Sequence, residues 1–216
     1  MKARGFATAF IALAFTPRAS AHRLDEYLQA TTLALKGDQV EAEMVLTPGV
    51  RVVGQIMSVI DTDRDGLVSD AEKGIYAQRV LGDLSLVVDG NRRVLRLASV
   101  TFPSLTELKD GLGGIRIEFT ADLTGPGVAH ALVLENKHQR ALSTYLVNSL
   151  VPEDPAIRIA SQDRNYEQSR YEVDFSRSDP GAGGTLPWKA LTAALLISLA
   201  PIAASAFARR RKYASI

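Results

Sequence analysis

Over most of residues 22 to 177, apolar and polar side chains alternate with the period of two that sends successive side chains to opposite faces of a β-strand. In QVEAEMVL, Val40, Ala42, Met44 and Leu46 fall on one face, and Gln39, Glu41 and Glu43 on the other. In GIRIEFTADL the apolar set is Ile115, Ile117, Phe119, Ala121 and Leu123, opposed by Arg116, Glu118, Thr120 and Asp122. Tyr171, Val173 and Phe175 repeat the pattern against Arg170, Glu172 and Asp174. Further strands are predicted over 28–36, 84–89, 93–102, 128–135, 142–148 and 156–160. Turn-forming residues fall between them: Gly37-Asp38, Asp89-Gly90-Asn91 and Gly125-Pro126-Gly127. Eight or nine short strands at this spacing predict a mainly β domain of the β-sandwich type.

One region departs from the alternation. After Thr47-Pro48, which reads as an N-cap with proline in the first helical turn, apolar residues recur at helical spacing through Val53, Ile56, Met57 and Ile60. A second helical stretch runs from about Ser69 to Leu81. The pattern therefore predicts a helix-loop-helix over residues 47–82, inserted after the second strand.

The two ends read differently from the body. MKARGFATAFIALAFTPRASA places two basic residues, an apolar run and a small-x-small site in the order of a secretory signal, so 1–21 is predicted to be removed and His22 to begin the mature chain. Near the other end, Ala190 to Ala208 carries no charge. At about 1.5 Å per residue such a helix covers roughly 28 Å, close to the thickness of a bilayer core. Trp188 precedes the stretch and Arg209-Arg210-Arg211-Lys212 follows it, as an interfacial aromatic and a cytoplasmic basic flank would. The expected layout is a Gly-rich linker at 178–188, a membrane span at 189–208 and a basic cytoplasmic tail at 209–216. That makes a single-pass protein of the cell membrane with its domain outside the cytoplasm, periplasmic in a Gram-negative bacterium. Gly183-Gly184, the span and the basic cluster also resemble C-terminal sorting signals that are cleaved on export.

Composition narrows the function. Between residues 22 and 188, 17 basic residues face 24 acidic ones, a balance of −7, which disfavours a nucleic-acid surface and suits cations. The chain has no cysteine, so its stability must come from core packing, strand pairing and any bound metal.

The loop between the two predicted helices, DTDRDGLVSDAE, has oxygen donors at alternate positions. Calcium takes six to eight oxygen ligands, and a twelve-residue loop supplies them from positions 1, 3, 5, 7, 9 and 12. Those positions are Asp61, Asp63, Asp65, the Leu67 carbonyl, Ser69 and Glu72, with Gly66 at the sharp turn and Val68 as the apolar anchor. The stretch resembles the EF-hand family, which implies Ca2+ as the bound ion, with Mg2+ the competing occupant. The resemblance departs at Lys73, where the family usually has an apolar residue, and in the lack of a second loop. That pattern suits a structural ion better than a sensor.

Across most of the chain, AHRLDEYLQ, the EF-hand insert, the VDG turn and YLVNSLVPEDP together resemble uncharacterised exported bacterial proteins with one C-terminal span. The layout is also similar to extracytoplasmic domains of nickel/cobalt-type transporters, whose further membrane helices this sequence lacks. The function expected is therefore a calcium-binding, membrane-anchored extracytoplasmic protein, an accessory to binding or assembly. Its partners would be the calcium ion, the lipid bilayer and a membrane protein complex, with no nucleic acid. The alternative is a copper- or nickel-binding accessory of a transporter, using the amine and imidazole of His22 with Asp25, Glu26, His130 or His138 as further donors. His130 falls in a predicted strand and His138 in the polar turn NKHQR. The sequence carries no nucleophile elbow, zinc-protease helix or phosphate-cradling loop, and no catalytic residue is assigned. Gly111-Leu112-Gly113-Gly114 lacks the strand-to-helix setting of a nucleotide site.

Overall fold

The computed structural model describes residues 25–125 and 127–178 of the 216. The predicted signal peptide, His22, the span at 189–208 and the basic tail lie outside the described residues. Among the described residues no helix is long and apolar enough to cross a membrane.

The described chain is mainly β. Strands β1 (Tyr27–Lys36) and β2 (Gln39–Pro48) form an antiparallel hairpin across Gly37-Asp38. Helices α1 (Val53–Ile60) and α2 (Asp70–Gly82) follow, then β3 (Leu84–Val88), β4 (Asn91–Arg92) and β5 (Arg96–Thr101). A short helix, α3 (Leu105–Lys109), precedes β6 (Ile115–Asp122) and β7 (Ala129–Asn136). The last strands are β8 (Ser143–Ser149), β9 (Ile157–Arg164) and β10 (Arg170–Arg177).

These strands make two five-stranded sheets, ordered β5-β6-β2-β1-β8 and β4-β3-β7-β10-β9. Every pairing is antiparallel except that of β1 with β8, which is parallel. The apolar faces read from the alternation are the buried ones. Met44 and Leu46 in β2, Ile117 and Phe119 in β6, and Tyr171, Val173 and Phe175 in β10 are almost wholly inaccessible. They belong to one hydrophobic cluster, which also takes in Ile56 and Ile60 of α1 and Tyr76, Ala77 and Val80 of α2. Burying apolar surface at about 25 cal/mol per Å² makes this shared cluster the main stabilising element of a chain without disulfides.

The structure corrects the sequence reading in four places. The first helix does not begin at Thr47-Pro48. Pro48 is the last residue of β2, opposite Tyr27, where its missing N–H costs no ladder bond that the sheet needs. The Gly49 N–H then donates to the Glu26 carbonyl at 2.8 Å, and α1 starts at Val53 with no side-chain cap. The strand predicted over 93–102 is shorter, β5 covering only Arg96–Thr101, and the unpredicted two-residue β4 just before it joins the other sheet. Helix α3 was not expected. Its five residues are too few to show a period, although Ser104 and Glu107 form a complete capping box. Finally, His138 lies in the turn after β7, as expected, but is fully buried there.

Candidate metal centre

Helix α1 ends where the Asp61 N–H donates to the Met57 carbonyl at 2.8 Å. The next residues cannot continue a helix, because Arg64 (φ 62°) and Gly66 (φ 83°) both adopt left-handed backbone. Gly66 does so without a Cβ penalty, whereas Arg64 carries strain. The result is a tight curl. The Gly66 N–H donates to Asp61 Oδ2 (3.0 Å), the Asp65 N–H to Asp63 Oδ1 (3.2 Å) and the Leu67 N–H to Asp65 Oδ1 (2.7 Å). The curl brings three carboxylates together, Asp61 half-buried and Asp63 and Asp65 exposed, so that one oxygen from each lies within 4.8 Å of the others. Like charges at that spacing repel by about 1 kcal/mol per pair even in water. Backbone N–H donors offset part of that repulsion.

Among the described residues Asp61 Oδ1 is buried with no hydrogen-bond partner. An unsatisfied buried oxygen on an ionised carboxylate costs its desolvation energy. The chemistry that relieves it best is a hard cation, which would also cancel the repulsion among the three aspartates.

The exit side of the loop is set by α2. Ser69 is its N-cap and Glu72 its third residue, and the two make a reciprocal capping box. Glu72 is buried, with both oxygens engaged. Oε2 accepts from the Ser69 N–H (2.9 Å) and Oγ (2.8 Å), and Oε1 accepts from the Thr62 N–H (2.7 Å) and Oγ1 (3.2 Å). Hydrogen bonds from Ser69, then from Thr62, hold the Glu72 carboxyl far below the usual range, at about 2. Thr62 directly follows Asp61, so Glu72 ties the two ends of the loop together. Val68 packs partly buried against the core, while the Leu67 side chain is exposed.

Of the residues singled out from the sequence, Asp61, Asp63 and Asp65 converge, and Ser69 and Glu72 contact each other beside them. The remaining metal candidates do not join this cluster. His130 is buried and stacked on Phe175, with Nδ1 2.7 Å from Asp89 Oδ2 and Nε2 3.1 Å from the Gly127 carbonyl. His138 lies beyond the other end of β7, a strand of roughly 24 Å at about 3.4 Å per residue. Asp25 pairs with Arg51 at 3.0 Å, and Glu26 Oε2 accepts from Thr144 Oγ1 at 2.7 Å.

His138 is the hub of a buried polar network that was not read from the sequence. Its Nδ1 meets Asp83 Oδ2 at 2.8 Å and its Nε2 meets the Tyr76 hydroxyl at 3.2 Å, which in turn meets the Tyr27 hydroxyl at 2.5 Å. The His138 carbonyl accepts from Gln29 Nε2 and the Tyr145 hydroxyl, and its N–H donates to Asn136 Oδ1. Burial pushes the His138 ring below the usual histidine value, with Asp83 opposing the shift. These bonds fasten α2 to β1, β8 and the end of β7. The signal for them was present: Leu132, Leu134, Asn136 and His138 keep to one side of the alternation past the end of the strand.

The glycine cluster after α3 serves close packing. A Cβ at Gly114 would stand 2.7 Å from Val45 Cγ1, and one at Gly113 would stand 2.6 Å from Pro103 Cβ.

Against protein-family models, curated proteins and solved structures, the chain finds no match.

Proposed function

We propose that the protein is a membrane-anchored, extracytoplasmic β-sandwich with an inserted EF-hand, in which calcium stabilises the insert and the domain acts as a binding or assembly accessory. The observation that carries the calcium reading is the convergence of Asp61, Asp63 and Asp65, together with a buried, unpartnered Asp61 oxygen. The left-handed turns at positions four and six of the loop, the N-cap serine at position nine and the glutamate at position twelve agree with it. Asp61, Asp63, Asp65, the Leu67 carbonyl, Ser69 and Glu72 would hold the ion.

Glu72 has a particular consequence for affinity. Its four hydrogen bonds already satisfy it, so serving as a bidentate ligand means exchanging some of them for the cation. That cost suits the weak class of extracellular sites, with dissociation constants of roughly 10⁻⁴ to 10⁻³ M. The test is isothermal titration of the chelator-stripped protein with calcium, beside Asp61→Asn and Glu72→Gln. One site with a rise in melting temperature, lost in both variants, is the expected result. An absence of heat at millimolar calcium would leave the loop a polar connector.

A further inference from the structure

The solvent face of the sheet β5-β6-β2-β1-β8 carries a groove of about 630 Å³, far from any use in the calcium reading. Its floor is low because the outward residues there are small: Thr32 and Ala34 from β1, Ala98 from β5 and Thr120 from β6. One wall is the segment Leu150–Glu153 leading out of β8. That wall is tied to β1 at its start by the Leu150 N–H on the Leu33 carbonyl (2.8 Å), and a local turn follows it, with the Ala156 N–H on Asp154 Oδ1 (2.8 Å). At its top Leu150 and Val151 stand exposed, Val151 at 87%.

The charge along the groove is one-sided. Glu41, Glu43, Glu118 and Glu153 line it, and Lys36, the one cation in the lining, is paired with Glu41 at 2.7 Å. The strand register adds an energetic point, since Glu43 of β2 lies directly opposite Glu118 of β6. Like charges in facing positions of neighbouring strands destabilise a sheet. Arg116, bonded to Glu43, and the Ser99 hydroxyl, bonded to Glu118, offset part of that repulsion. A cation arriving from above would relieve it directly. The volume falls in the range of ligand clefts, and the groove is only half enclosed, which suits a stretch of extended chain better than an enclosed small molecule.

We propose that this groove docks a basic, partly apolar segment of a partner protein in extended form. Its lysine or arginine side chains meet Glu43 and Glu118, and its apolar side chains lie on Leu150 and Val151. The surface is distinct from the candidate metal centre, so the proposal stands or falls separately from calcium.

The experiment uses the full chain in lipid nanodiscs and a fluorescein-labelled peptide of alternating arginine and valine, read by anisotropy with calcium and with chelator. Saturable binding that weakens with salt and persists in chelator is expected. Glu43→Gln with Glu118→Gln should weaken it at least ~10-fold without lowering the melting temperature. Val151→Ser, at an exposed position, should weaken it as well. The proposal is overturned if the wild-type chain shows no saturable binding, or if the double variant binds equally well. Spermine displacing the peptide at equal concentration, with Val151→Ser unaffected, would also overturn it by assigning the groove to small polycations.

Discussion

Glu72 and His138 make acid sensitivity a property of single residues, and their windows are separable. The Glu72 carboxyl is depressed to about 2 in the fold, so its contribution is complete above the ordinary glutamate value and is lost as pH falls from about 4.5 towards 2. His138 is depressed from the usual 6.5 by burial, beside Asp83, Arg79 and Tyr76. Its unfolded form therefore takes up a proton first, and stability declines as pH falls below about 6.5. Melting temperatures of the metal-free protein between pH 8 and 2.5 should thus fall in two stages. Glu72→Gln should reduce the lower stage, to which the lowered carboxyls of Asp70, Asp89, Glu107 and Asp122 also contribute, and leave the upper one in place. Tyr76→Phe removes the hydroxyl that bridges Tyr27 and His138, and should cost about 1–3 kcal/mol in urea unfolding. A loss below 0.5 kcal/mol would mean that the bridge is not a structural tie.

At the scale of elements, α2 contains an avoidable weakness. Gly74 lies in mid-helix, and a Cβ there would meet nothing within 4 Å. Gly74→Ala should stabilise the protein by roughly 0.5–1 kcal/mol, measured by chemical denaturation. Gly114→Ala should do the reverse, because the added methyl has to displace Val45. Elements of this kind differ in how openly the sequence announces them. The strands with strict alternation, β2, β6 and β10, were legible with their inward faces because one side of each meets the core and the other meets water. The acidic loop was legible because its donors occur at fixed spacing within twelve residues. The start of α1 was not, since Pro48 fits the first turn of a helix and the last position of a strand equally well until pairing with Tyr27 decides. Nor was the burial of His138, where a polar neighbourhood hides contacts made by Tyr76 and Asp83, more than fifty residues earlier. What local patterns miss here is whatever distant strands and helices determine.

On the scale of the whole described domain, both sheets and the two longer helices draw on one apolar cluster. Unfolding should accordingly be a single transition, with near-ultraviolet and far-ultraviolet circular dichroism coinciding in urea. Phe119→Ala, at the centre of that cluster, should cost about 3–5 kcal/mol. Two separated transitions would show that the helix-loop-helix melts on its own.

The parallel pairing of β1 with β8 has a consequence in time. Tyr27 aligns with Ser143, more than a hundred residues later, although β1 is the first strand of the described domain. The ladder cannot close until β8 has been synthesised, after seven other strands and three helices of the described domain, and such distant pairings are slow to form. Until then β1 presents an unpaired edge, and the polar network around His138 lacks its β8 partners. The early β1–β2 hairpin therefore waits on a strand more than a hundred residues away before its own sheet is complete.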